Sequence, residues 1–169
     1  MALPARNLTS KMQKYFDFTK IYVAFLAFLL SIASLSFAHA EDGVFEPLSI
    51  TTASGKHDFQ VEVMRTDDEQ QRGMMFRRSL DDDKGMLFPF PNERVATFWM
   101  ENTYVPLDMI FIKGDGRIQR IEKSAEPLST STVSSGAPVL AVLEVIGGLS
   151  DKLGIKPGDK VDYPIFKGQ

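Results

Sequence analysis

The sequence predicts a mainly β fold: a single compact domain, barrel-like or sandwich-like, with one or two short helices, following an N-terminal signal peptide. Three observations predict it. Short apolar or alternating runs recur along the chain, turn-forming residues separate them, and one lysine-flanked apolar stretch stands apart at the start.

That first stretch is read as an export signal. Lys11, Lys14 and Lys20 precede IYVAFLAFLLSIASLSF, and Ala38-His39-Ala40 supplies the small residues a signal peptidase reads, so cleavage is expected after Ala40. A retained anchor is the alternative, because Ile21 to Ala38 approaches the length of a spanning helix. Ser31, Ser34 and Ser36 dilute its second half, and no basic stop-transfer cluster follows. The expected location is the periplasm or the extracellular space, with no stable membrane insertion once the signal is removed. Removing residues 1–40 from the 169 leaves 129, enough for one domain with its own core. These carry 15 basic against 21 acidic residues, a net charge of −6. An acidic chain without a basic block is a poor partner for nucleic acid or anionic lipid, and neither is expected.

Cysteine is absent, which removes disulfides, thiolate metal sites and a cysteine nucleophile. Beyond the signal only His57 remains, in the turn-flanked SGKHDF, where it reads as an exposed residue at the start of a strand. Zinc sites built from several His and Cys are excluded, and no cofactor is expected.

The elements follow in order. Residues 41–57 form a lead-in, with PLSITTA and HDFQVEVM as two strands joined at Ser54-Gly55-Lys56. Residues 58–166 form the main β domain. Thr66-Asp67-Asp68-Glu69 is a capping box that opens a short helix, and Gly73 closes it. Three aspartates, Asp81 to Asp83, form a solvated loop before the apolar strand GMLFPF. VATFWM and LDMIFIK are strands flanking a polar link, and Gly114-Asp115-Gly116 turns into RIQRIEKS. SAEPLSTSTVSSGAP, residues 124–138, is a long Ser/Thr/Pro loop of the kind that is functional or mobile. PVLAVLEVI is a buried strand, a helical turn ends near Gly154, and Lys156-Pro157-Gly158-Asp159 leads into KVDYPIF.

The succession GMMFR, GMLFPF, WMENT, PLDMIFI, the GDG turn, LEV and GIKPGD resembles domain-of-unknown-function family 192, in the right order across roughly residues 58–166. Gly73, Met75, Arg77, Gly85, Met86, Phe88, Trp99, Met100, Asn102, Thr103, Pro106, Leu107, Asp108, Glu144, Gly158 and Asp159 match its motif. The resemblance implies a small, mainly β domain, often behind an export signal. It implies no activity.

Chemistry is therefore sought in the side chains. Alternation places Asp108 on a face with Ile110 and Ile112, and Glu144 with Leu140, Val142 and Ile146, so both carboxyl groups lie on otherwise apolar strands. A buried carboxyl needs a partner or a cleft. In a purely structural arrangement Asp108 accepts from Asn102 and Thr103, and Glu144 pairs with Arg77 or Arg72. In a binding arrangement Arg77, Trp99, Asn102, Thr103, Asp108 and Glu144 line one cleft, suited to a small polar or carbohydrate-like ligand or a cell-envelope partner. Two alternatives use subsets of the chain: glycan hydrolysis by Asp108 and Glu144 facing each other, and Cu(I) bound through Met75, Met86 and Met100.

Overall fold

The structure is a computed structural model that describes residues 44–166. The signal read over residues 1–40 lies outside the described residues. No helix among the described residues is long and apolar enough to cross a membrane.

The fold is mainly β, as predicted. The described residues form nine strands: β1 (Phe45–Thr52), β2 (Gly55–Val63), β3 (Lys84–Arg94), β4 (Thr97–Phe98), β5 (Leu107–Ile112), β6 (Ile118–Ala125), β7 (Val133–Ser134), β8 (Val139–Ile146) and β9 (Lys160–Asp162). Among the described residues they are accompanied by two short helices, α1 (Asp67–Arg72) and α2 (Leu149–Leu153), and a 3-10 turn (Pro164–Phe166). Seven strands form one sheet in the order β6-β5-β8-β3-β2-β1-β9, and β4 pairs with β7 as a separate ribbon. Among the described strands β2 and β3 are the one parallel pair, joined through α1. The sheet curls until its edges touch: Arg117, just before β6, bridges Lys160 on β9, and the Ile118 amide donates to the Asp159 carbonyl at 2.9 Å.

Curling gives the sheet two differently covered faces. The inner face collects Leu48, Ile50, Phe59, Val61, Leu87, Ile110, Ile112, Leu143 and Val161 into one core. Each alternates with neighbours that point outward, and on β3, β5 and β8 those neighbours are also apolar. Met86, Phe88, Met109, Phe111 and Val142 form a second cluster with Met74 and with Ala96, Met100 and Val105 of the 96–105 segment. Strands buried on both faces read as continuous apolar runs, which is the appearance of LDMIFI and VLAVLEV.

The local signals hold with small shifts. Thr66 caps α1 and accepts from the Glu69 amide at 3.2 Å, while the Glu69 carboxylate accepts from the Thr66 amide at 2.8 Å. The first hairpin turns at Ala53-Ser54, with Thr52 opposite Gly55, one position earlier than the sequence places it. VATFWM is extended as strand only at Thr97–Phe98, so Trp99 and Met100 already belong to the link. The 124–138 stretch is less open than its composition implies: it contributes the end of β6 and all of β7, and Ser135 is buried. The Ser135 hydroxyl accepts from the Ala96 amide at 3.0 Å and donates to the Ala137 carbonyl at 2.7 Å.

Candidate functional site

The two buried carboxyl groups do not meet. Asp108 lies opposite Val145 in the β5–β8 ladder, and Glu144 lies opposite Met109. Residues directly opposite in an antiparallel pair share a face, so Asp108 points with the inner core and Glu144 with the outer cluster. The arrangement of two acids facing across a bound sugar is not formed by this pair.

Asp108 is fully buried and fully employed. Its Oδ1 accepts from the Ser124 amide at 2.8 Å and from the Gly148 amide at 2.9 Å, and Oδ2 accepts from the Ser150 amide at 2.8 Å. Ser124 sits at a register shift between β5 and β6 with φ +47, and Gly148 and Ser150 begin α2. One carboxylate thus satisfies amides that the irregular ladder and the helix start leave without carbonyl partners. Asn102 and Thr103 are not its donors, contrary to the structural arrangement drawn from the sequence.

Arg77 is likewise committed elsewhere. It forms a two-point ion pair with Glu62 of β2, with Nη2 2.8 Å from Oε2, and Glu144 is not its partner.

Glu144 is 4% exposed and has no hydrogen bond to its carboxyl among the described residues. Burial alone raises its pKa to about 8, so it holds a proton at neutral pH. It lines a cleft of about 370 Å³ on the outer face. The walls come from three regions. The end of α1 and the turn after it bring Gln71, Arg72, Met74 and Met75. The β3 strand brings Phe88, Phe90 and Arg94, and the β4 region brings Thr97, Phe98, Trp99 and Thr103. Thr132, just before β7, closes one side.

Local sequence explains these positions. Gly73 ends α1 with φ +42, and a Cβ there would come within 3.1 Å of the Phe88 ring. Glycine therefore lets the helix end approach the cleft floor. Pro89 and Pro91 lie where the β3–β8 register shifts between Pro89 and Arg94. Beyond the shift Arg94 stacks over the Phe90 ring at 4.1 Å. Phe98 packs edge-on against Phe88 at 5.2 Å between ring centres, and Trp99 follows it into solvent.

Of the six residues expected to bind, Trp99, Thr103 and Glu144 line this cleft. Asn102 lines an adjoining groove, and Arg77 and Asp108 line neither. Of the three methionines, Met75 lines the cleft, whereas Met86 and Met100 are buried in the outer apolar cluster. Among the described residues no three His, Asp or Glu side chains are grouped to hold a metal ion. Sequence reasoning missed Phe88, Phe90, Arg94, Phe98 and Thr132. The paired prolines of GMLFPFP were the available signal, since they mark a strand that must break its ladder.

A family profile described as Uncharacterized ACR, domain of unknown function 192, matches residues 49–163. No curated protein matches the chain. The chain is similar to a crystal structure of a protein of unknown function from Novosphingobium aromaticivorans. The two are 45% identical with a TM-score of 0.71, covering 75% of this chain and 91% of that one. It is also similar to a protein from Sinorhizobium meliloti described as a putative transcription regulator. Here the identity is 41% and the TM-score 0.70, covering 72% of this chain and 95% of that one.

Proposed function

Because the chain belongs to domain-of-unknown-function family 192, whose name assigns no chemistry, we propose its role from the cleft. It binds a small, polar, carbohydrate-like ligand without transforming it, as an exported domain of the periplasm or the extracellular space. The observation that carries this reading is the Glu144 carboxyl, buried, without a hydrogen bond among the described residues, and lining the cleft. A carboxyl kept neutral both donates and accepts, which suits a ligand hydroxyl or ring oxygen. Trp99 offers a half-exposed aromatic face to the C–H face of a sugar ring above an apolar floor of Phe88, Phe90 and Phe98, while Gln71, Thr97, Thr103 and Thr132 supply polar contacts around it. Binding without turnover follows from the company Glu144 keeps. It is the single carboxyl group lining this cleft among the described residues, and Asp108 stands on the other face. Hydrolysis of a glycosidic bond ordinarily uses two.

The test is titration of the full chain with glucose, N-acetylglucosamine and galacturonic acid, followed through Trp99, the chain's single tryptophan. At least one sugar is expected to bind saturably. Glu144→Leu is expected to weaken that binding about tenfold or more, the loss of one buried hydrogen-bonding group. Glu144→Gln, whose amide also donates and accepts, is expected to retain it. Equal binding by Glu144→Leu, or no binding of any of the three sugars, overturns the reading.

A further inference from the structure

We propose that the ligand is a chain of linked sugar units, and that a second unit lies in the open groove beside Trp99; this rests on the carbohydrate reading of the cleft. The groove is continuous with the cleft, because Gln71, Arg72, Met75 and Trp99 line both. Beyond that shared wall it runs along Phe76 and Asn102, with Asp68 and Glu101 beside them.

Two observations on the groove point to an occupant. The first is exposure. Trp99 is 50% exposed and Phe76 56%, so two aromatic rings of one groove stand about half in solvent, Phe76 with the Tyr104 ring edge-on beside it at 6.4 Å. The second is backbone conformation. Phe76 has φ +65 and Asn102 φ +54, and the Phe76 amide donates to the Asn102 carbonyl at 2.8 Å, so the two left-handed residues hold each other. Asparagine tolerates this region, whereas an aromatic residue is strained in it. Strain at Phe76 does not lead to burial of its ring in the core. A costly backbone that keeps a large ring half exposed beside a cleft is the pattern of a side chain retained for a ligand.

The groove's chemistry selects the occupant. Its two apolar rings are bordered by the amides of Gln71 and Asn102, the carboxylates of Asp68 and Glu101, and the Arg72 side chain. A sugar ring has the same alternation, a flat C–H face within a rim of hydroxyls. A protein or lipid partner requires a broader continuous apolar surface than two rings divided by polar side chains. The shared wall lets a second unit follow the first without crossing bare surface.

The experiment compares one-, two- and three-unit saccharides of glucose, N-acetylglucosamine and galacturonic acid on the full chain, by calorimetry and Trp99 fluorescence. In the series whose monosaccharide binds, the disaccharide is expected to bind about tenfold more tightly. Phe76→Asn places at that φ a residue that tolerates it, so Tm is expected to stay or rise. Monosaccharide binding is expected to be unchanged and the disaccharide gain lost, while Phe76→Tyr keeps a ring and keeps the gain. Equal affinity for one and two units, or a gain that survives Phe76→Asn, overturns the second subsite and leaves the first reading standing. A lower Tm in Phe76→Asn also overturns it, since the ring would then serve the fold. Failure of every monosaccharide to bind is the distinct outcome that removes the reading on which this one rests.

Discussion

Asp108 on β5 and Glu144 on β8 are buried carboxyl side chains on adjoining strands, one step of register apart and on opposite faces of the same sheet. Around Asp108 the chain has gathered three backbone amides, each within 2.9 Å. Around Glu144 it has gathered phenylalanines, threonines and a cleft, and among the described residues no hydrogen bond or charge offsets its burial. Two residues of nearly equal burial therefore follow different rules. A carboxylate with its acceptor positions filled is part of the scaffold, because the protein has already supplied what water would. An unfilled one is met only from the cleft, by water while the cleft is empty and by a ligand that completes the set when one is bound. Burial alone does not separate these cases. The partners do.

The largest effect expected from breaking this contrast is at Asp108. Asp108→Ala leaves the Ser124, Gly148 and Ser150 amides buried without acceptors, at about 3–5 kcal/mol of stability. Asp108→Asn keeps one acceptor oxygen and is expected to cost about half as much. Urea denaturation of each variant measures both values. A cost under about 1 kcal/mol for Asp108→Ala would mean that the three amides have another solution, and the contrast with Glu144 would fail.

Glu144 should show the opposite sign, with a pH dependence. Its pKa is 4.5 in an unfolded chain and about 8 in the fold. Below 4.5 both states hold the proton, and its contribution is fully present. Between those values the unfolded chain releases a proton that the fold keeps, so stability declines as pH rises, and above about 8 the decline is complete. Glu144→Gln removes this dependence and should be more stable than the native chain by about 1–3 kcal/mol at pH 8, with the advantage gone near pH 4. Thermal unfolding of the two proteins across that range reads the difference directly. Parallel pH profiles would show that Glu144 already has a partner.

Much of the scaffold was legible because it is local. The capping box at Thr66 and Glu69, the GDG turn and the alternation along LDMIFI each depend on residues a few positions apart, and all appear as read. Alternation even placed Asp108 with Ile110 and Ile112. What it could not supply was the identity of donors 16, 40 and 42 residues away, which a curled sheet and an irregular ladder bring together. The cleft was hidden for a related reason. It forms where β3 loses its register and where a Ser/Thr-rich stretch, loop-like in composition, is pinned as β7 by the buried Ser135. Trp99, Thr103 and Glu144 were named from their residue types. Arg94, Phe98 and Thr132 needed the three-dimensional path of the chain.

The smallest expected effect sharpens the Asp108 side of the contrast. Ser124 lends its amide to Asp108 from a left-handed backbone, φ +47, which a residue carrying a Cβ adopts only at a cost. If the position is held for the amide, Ser124→Gly keeps the donor, relieves the backbone and loses only a partly compensating entropy in the unfolded chain. A gain of about 0.5 kcal/mol is expected. Ser124→Pro removes the donor and fixes φ near −65°, so it should cost several times that amount. Combining each substitution with Asp108→Ala, which removes the oxygen that accepts from Ser124, in a double-mutant cycle separates the two contributions. The proline penalty should shrink once residue 108 has no acceptor left, and the glycine gain should not change, because strain belongs to the backbone and the hydrogen bond belongs to the pair.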